Sequence, residues 1–230
     1  MPHSDRPAID TALSRSVGRC LATTFLVLIV LGVSFAASAD HLDEYEYTIY
    51  RSGKSIGYHR VTFQPRDGHV EVKEKSHLRV RAGFLTLYQF DHERSEVWKD
   101  GVLTYSKGKT NRNGKELDIT VEANGHGYFR EVNGKVDRLD PSRKVLALWD
   151  KSILDHKSFF SVVEDKTIDV SFQYGGKQKL QLSGRELDVD YYKMTGDEER
   201  EVWYDQAGHV VRVKLRRFGS DIEYVLKLPE

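Results

Sequence analysis

The chain has 230 residues with 35 basic and 35 acidic side chains, so its formal net charge at neutral pH is zero. Because nucleic-acid binding depends on a strong positive field, this balance argues against a nucleic-acid partner. The single cysteine, Cys20, excludes an internal disulfide, so the folded part must rest on its hydrophobic core.

The beginning of the chain has the pattern of a cleaved secretory signal peptide. Three arginines precede an uncharged apolar stretch that runs from Cys20 to Ala39 and ends with the small residues Ala-Ser-Ala. Small residues before the cut are what a signal peptidase requires. We therefore predict a signal peptide at 1–39, a single domain at 40–230 and a periplasmic location. The alternative is an uncleaved anchor, since an uncharged stretch of this length can just span a bilayer.

N-terminal sequencing of the protein isolated from the periplasm tests this prediction. We expect a mature chain that starts at Asp40 and reads Asp-His-Leu-Asp, because cleavage after Ala39 leaves those residues first. A membrane-bound species that still carries Met1 would show that the segment is an anchor instead.

After residue 40 the sequence alternates between strand patterns and turn patterns. Turn pairs such as Asn113-Gly114 and Asn133-Gly134 separate runs rich in Val, Ile, Thr, Tyr and Phe with period-two alternation. Asn-Gly pairs favour the left-handed backbone of two-residue hairpin turns, which join neighbouring antiparallel strands. The sequence therefore predicts a mainly β protein with a single curved antiparallel sheet. It predicts no transmembrane segment beyond the signal peptide.

One strand pattern, which runs from Phe84 to Lys99, changes character along its length. One of its faces is aromatic at the start and mostly ionisable farther on, in the order Phe84, Thr86, Tyr88, Phe90, His92, Arg94, Glu96, Trp98. A strand this long must twist or bend strongly, as strands do in curved sheets and barrels. The change from aromatic to ionisable suits a ligand with an apolar tail and a polar head.

The segment from Pro141 to Phe160 interrupts the strand pattern. It contains no glycine, and Asp150 is placed to cap a short helix. Its apolar residues have the spacing of one helix face. We predict a short covering helix near 142–158, with Trp149 directed toward the sheet.

Four motifs together resemble a known group of proteins. They are EVWKDGVL at 96–103, TNRNG at 110–114, LWD at 148–150 and EVWYD at 201–205. With them the chain resembles an exported bacterial family of unknown function, which is similar to the periplasmic lipoprotein carriers of the LolA/LolB type. The resemblance implies a curved half-barrel of roughly a dozen antiparallel strands with helical cover. It implies no catalytic residues.

The predicted binding site is the concave, aromatic face of the sheet. Its candidate ligand-binding residues are Phe84, Tyr88, Phe90, His92, Arg94, Glu96 and Trp149. We expect the aromatic residues to line an apolar concavity near 142–158, with His92 and Arg94 at its rim, where they orient a headgroup. Two alternatives remain open. The ionisable residues form surface pairs in solvent, or the covering segment packs down and leaves an ordinary filled core.

The sequence offers no convincing metal, cofactor or catalytic motif. No two histidines have ligand spacing, and no G-x-S-x-G elbow occurs. Within Asp91-His92-Glu93 the imidazole points opposite to both carboxylates, because neighbouring residues of a strand face opposite sides. We therefore predict no metal, no cofactor and no catalytic residue.

We interpret the chain as a non-catalytic periplasmic protein that binds an amphipathic, lipid-like ligand or a lipidated partner. The first alternative is a structural or interaction protein of the cell envelope with a filled core. The second is an enzyme that acts on an envelope glycan or lipid through His92 and neighbouring carboxylates. A row of cations on one strand face is compatible with peripheral contact with the envelope or with a solvated outer face, and consists of Lys73, Lys75, Arg79 and Arg81.

Overall fold

The computed structural model describes residues 44–217 and 219–228, which belong to one compact unit. The predicted signal peptide, residues 1–39, lies outside the described residues. Fifteen strands are described: β1 (Glu44–Arg51), β2 (Lys54–Arg66), β3 (His69–Ala82), β4 (Leu85–Lys99), β5 (Val102–Arg112), β6 (Lys115–Ala123), β7 (Tyr128–Val132), β8 (Lys135–Leu139), β9 (Lys144–Val145), β10 (Ser158–Phe160), β11 (Thr167–Leu182), β12 (Arg185–Gly196), β13 (Arg200–Asp205), β14 (Val210–Arg217) and β15 (Ser220–Leu226).

The fifteen strands form one open sheet in the order β8-β7-β6-β5-β4-β3-β2-β1-β15-β14-β13-β12-β11-β10-β9. Neighbouring strands are antiparallel, apart from the parallel pair of β9 and β10. The first strand pairs with the last, with Tyr47 opposite Leu226, so β1 and β15 lie side by side in the middle of the sheet. The prediction of a mainly β protein with a single antiparallel sheet is confirmed.

The strand count and the covering helix differ from the prediction. The sheet has fifteen strands, and the helix near 142–158 is a 3₁₀ helix of five residues, Lys151–Asp155. Residues 146–149, which precede the short helix, line the interior of the sheet instead of extending the helix toward its start. Asp150 caps the short helix, as predicted, and its side chain accepts a hydrogen bond from the Ser152 amide at 2.9 Å.

Hairpin turns set the register of the sheet. Asn113 and Gly114 both have left-handed backbones, with φ of 52° and 82°. This pair of conformations defines the turn whose twist matches that of antiparallel strands. The Asn111 side chain accepts a hydrogen bond from the Gly114 amide at 2.9 Å, which supports the turn between β5 and β6.

The sheet curls until side chains near its two ends meet. The ring centroids of Tyr128 on β7 and Phe160 on β10 are 5.0 Å apart. Beside them, Arg130 on β7 forms an ion pair of 3.0 Å with Asp165. The inward faces of the strands thereby enclose an interior, in which alternate residues of β4 are buried.

One end of this interior is closed by aromatic packing. The Trp149 ring packs edge-on against Phe63 and Trp98, with ring centroids 5.1 and 4.8 Å apart. The Leu148 carbonyl accepts a hydrogen bond of 2.9 Å from the Tyr204 hydroxyl, which holds the segment in place. Trp149 thus contacts the sheet without a helix to present it.

Candidate functional site

A cavity of about 750 Å³ occupies the part of the interior that Trp149 leaves open. Small-molecule sites have volumes of roughly 300–1,000 Å³, so the space is large enough for a ligand. Its walls come from β1 to β5 and β13 to β15, together with residues 146–149 and 161–166. The filled-core alternative therefore fails for this part of the interior.

The cavity opens where the strands meet at one set of hairpins. Arg51 ends β1, Arg112 ends β5, Arg217 ends β14 and Arg200 begins β13. Because successive strands are antiparallel, these four positions lie at the same end of the sheet. All four side chains line the cavity, and we call this end the mouth.

The middle of the cavity wall is apolar. Along β4, Tyr88 and Phe90 follow the mouth, and both line the cavity. Across the sheet Tyr88 pairs with Val80 and Phe90 pairs with Leu78. Further apolar lining comes from β2, β14, β15 and the inserted segment, namely Ile56, Leu215, Ile222, Leu146 and Val162.

Deeper in the cavity a row of polar side chains crosses four strands. His59, Ser76, His92 and Thr110 lie directly opposite one another on β2, β3, β4 and β5. His59 Nδ1 is 2.7 Å from Ser76 Oγ, and His92 Nδ1 is 2.8 Å from Thr110 Oγ1. The floor of the cavity is thus polar but composed of groups that are uncharged at neutral pH.

His92 is neutral and has one free nitrogen. It is 3% exposed, and burial, followed by the positive charge of Arg94, lowers the pKa of its imidazole to about 3. Its Nδ1 faces the Thr110 hydroxyl, which also lies 3.5 Å from the Val163 carbonyl. Nε2 has no hydrogen-bond partner among the described residues.

The next row contains a buried charge cluster. Arg94 is 6% exposed and forms ion pairs with Glu74, and with Glu96 at 2.9 Å. Burial raises the pKa of Glu96 to about 7. Burial would also raise the pKa of Glu74, but the Arg94 guanidinium holds it below its usual value. One cation between two carboxylates therefore favours one ionised acid and one that is partly protonated at neutral pH.

Gly108 makes room for this cluster on the neighbouring strand. It lies opposite Arg94 on β5, and a Cβ there would come within 3.3 Å of the His92 ring and 3.5 Å of the Arg94 side chain. A larger residue at position 108 would press on both polar rows.

The structure corrects the prediction of which residues lie at the opening of the cavity. His92 and Arg94 do not lie at the rim, because the mouth is at the aromatic start of β4 and both residues lie deeper inside. Glu96 lies deeper still, where it accepts a hydrogen bond of 2.8 Å from Trp98 Nε1. The surface-pair alternative for these ionisable residues fails for the same reason.

Phe84 lies apart from the other predicted site residues. It is 95% exposed in the turn between β3 and β4 and does not line the cavity. The register of β3 and β4 shifts next to Arg81, and this irregularity interrupts the alternation that placed Phe84 with Tyr88. Of the seven candidates, five line the cavity: Tyr88, Phe90, His92, Arg94 and Trp149.

The mouth carries a network of charged side chains. Two carboxylates hold it together, since Glu164 pairs with Arg112 and Lys166, each at 2.6 Å, and Glu198 pairs with Lys166 at 2.5 Å. Glu198 also contacts Arg200, and Arg217 at 3.4 Å. Although partial burial opposes its ionisation, Lys166 and Arg112 lower the pKa of Glu164 to about 2.

Sequence reasoning missed several residues of the site. Glu74 and Ser76 share the β3 face of Val72 and Leu78, so the alternation already placed them inside. His59 is inward on β2 by the same rule, two residues before the buried Val61. These residues were not predicted to be buried because they are polar. A polar or charged residue is expected to be exposed unless its partner on the neighbouring strand is known.

The described residues were compared with the usual arrangements of metal sites and catalytic triads. Among the residues described, no group of three or more His, Cys, Asp or Glu side chains is placed to hold a metal ion. Ser76 and His59 form a nucleophile–base contact, but no carboxylate hydrogen-bonds to His59 in the described part of the chain. A triad needs that third group to orient the imidazole. Nor does any described helix have the length and apolarity to cross a bilayer.

The fold and the cavity define a barrel-like β protein with an internal cavity. The chain belongs to the family "Domain of unknown function (DUF6134)", whose model matches residues 47–227. It is similar in structure to a "Beta-barrel-like Protein of Domain of Unknown Function DUF1849" from Brucella abortus, with a TM-score of 0.57 and 12% identity. That match covers 80% of this chain and 94% of the other, and it shows the fold alone. None of the curated proteins matches the chain in sequence.

Proposed function

We propose that this protein binds an amphipathic, lipid-like molecule in its cavity and works as a non-catalytic binding protein outside the cytoplasm. The observation that carries the proposal is an open space of about 750 Å³ inside a folded β unit, with an apolar middle between two polar zones. A closed hydrophobic core would pack to high density and leave no such space.

The apolar wall supplies the driving force. Each methylene group removed from water contributes about 0.8 kcal/mol, so a tail of several methylenes against Leu78, Phe90 and Leu215 yields useful affinity. Charged substrates alone would gain little from this wall. The likeness to lipoprotein carriers and the signal peptide, both inferred from sequence, fit the same proposal.

Binding of an uncharged fluorophore tests the cavity without reference to any headgroup. N-phenylnaphthylamine brightens when it leaves water, so wild-type protein should increase its emission in a saturable manner. Val80→Trp should weaken this binding at least tenfold, because Val80 lines the cavity and a larger ring there fills the space.

Val136→Trp is the matched control. Val136 lies on β8, is exposed and is not part of the cavity, so this variant should bind as wild type does. Circular dichroism and urea unfolding establish that each variant is folded. If folded wild type does not bind the fluorophore, or if folded Val80→Trp binds equally well, the proposed function is wrong.

A further inference from the structure

We infer that the ligand carries an anionic head, a carboxylate or a phosphate, which binds at the mouth while the tail extends toward Trp149. This inference rests on the proposed function and assigns the orientation and chemical class of the ligand. It reverses the orientation expected from the sequence, in which His92 and Arg94 received the head.

The first argument is the charge balance at the mouth. Five cations and two carboxylates line the mouth, so at neutral pH it has an excess of three positive charges. The cations are Arg51, Arg112, Lys166, Arg200 and Arg217, and the carboxylates are Glu164 and Glu198. The carboxylates are already shared: Glu198 contacts three cations and Glu164 contacts two. Neither is available to neutralise a further cation. The mouth therefore attracts an anion.

The second argument is that two of these cations have unused hydrogen-bonding capacity. Arg51 makes no ion pair with any described residue and lines the cavity at the end of β1. Arg200 contacts Glu198 through one nitrogen, while its buried Nε has no partner among the described residues. Guanidinium groups bind carboxylates and phosphates through paired, charge-assisted hydrogen bonds.

The third argument is that the floor is unsuitable for an anion. Arg94 is enclosed by Glu74 and Glu96, and the buried imidazole of His92 is neutral and offers no positive charge. An anionic head that reached this depth would meet the Glu74 carboxylate, which lines the cavity, and an Arg94 guanidinium that is already paired with two acids. The polar floor accommodates water or an uncharged group such as a hydroxyl.

The experiment uses amphiphiles that share a dodecyl chain and differ only in the head. Dodecanoate, dodecyl phosphate, monododecanoylglycerol and dodecyltrimethylammonium, each below its micelle concentration, compete with N-phenylnaphthylamine for the full-length mature protein. We expect the anions to bind about tenfold more tightly than the uncharged glycerol ester, the factor that one charge-assisted contact supplies. The cation should bind most weakly, and salt should weaken only the anions.

Variants connect the preference to the mouth. Arg51→Gln and Arg217→Gln should each lower anion affinity several-fold and leave the glycerol ester unchanged. Lys73→Gln removes the same charge from the exposed outer face of β3 and should change neither the affinity for the anions nor that for the glycerol ester. The stronger of the two anions identifies the head as carboxylate or phosphate.

Three results would separate the possible failures. If the glycerol ester and the anions bind equally, the cavity binds lipids but the head assignment is wrong. If the anion preference persists in both arginine variants, the head does not lie at the mouth and the inference is also wrong. If neither the fluorophore nor any amphiphile binds folded protein, the proposed function itself fails.

Discussion

Arg94→Met is expected to destabilise the protein by about 3–5 kcal/mol at neutral pH. The substitution removes the only cation that contacts both Glu74 and Glu96, within the described residues, and leaves two buried carboxylates without compensation. Urea unfolding followed by tryptophan fluorescence measures the loss.

The loss should depend on pH with a defined sign. Without Arg94 both carboxyl groups favour the neutral form, so their folded-state pKa values lie above the unfolded value of 4.5. The variant is then relatively most stable below that value and loses stability as pH rises through the folded-state pKa values. The deficit should be clearly smaller in acid than at neutral pH.

Two further variants make this prediction specific. Changing Glu74 and Glu96 to Gln in the Arg94→Met background removes both orphaned charges and should recover much of the lost stability. Arg185→Met alters an exposed arginine and should stay within about 0.5 kcal/mol of wild type. A deficit in Arg94→Met that is equal at all pH values would show that the charges are not its cause.

Trp98→Ala should cost about 3–5 kcal/mol. The ring is 7% exposed, packs against Trp149 and donates a hydrogen bond from Nε1 to Glu96. Its loss would leave a cavity beneath the binding space and a buried carboxylate oxygen without its donor. The free energy of unfolding in urea gives the magnitude.

Phe84→Ala supplies the control for this second prediction. It truncates an aromatic ring in the turn that precedes the same strand, but this ring is in solvent, so the expected change is within about 0.5 kcal/mol. A Trp98→Ala variant that unfolds within about 1 kcal/mol of wild type would contradict the burial of this ring.

The sequence was sufficient to predict which residues of β4 face inward, but not which end of the strand lies at the opening of the cavity. Period-two alternation placed Tyr88, Phe90, His92, Arg94 on one inward face, and the structure agrees. Which end of that face opens to solvent depends on where Trp149 folds back onto Phe63 and Trp98, a contact between distant segments. Local patterns carry no information about such a contact.

The charged residues of the interior illustrate the same limit. From β3 alone, Glu74 is expected to be exposed to solvent. Its position opposite Arg94 on β4 explains why it is buried. The excess of cations at the mouth is similarly assembled from β1, β5, β13 and β14. Asp150 was predictable because capping acts within a few residues, on the Ser152 amide.

The pairing of β1 with β15 has a consequence for how the molecule folds. Tyr47 and Leu226 become neighbours only after nearly the whole polypeptide is available, so the centre of the sheet is among the last features that can close. Contacts of such high sequence separation slow folding, typically to the range of milliseconds to seconds. Until then β1 and β15 each present an unpaired edge, which is a site for aggregation. A chaperone that shields these edges would raise the yield of native protein without contacting the cavity.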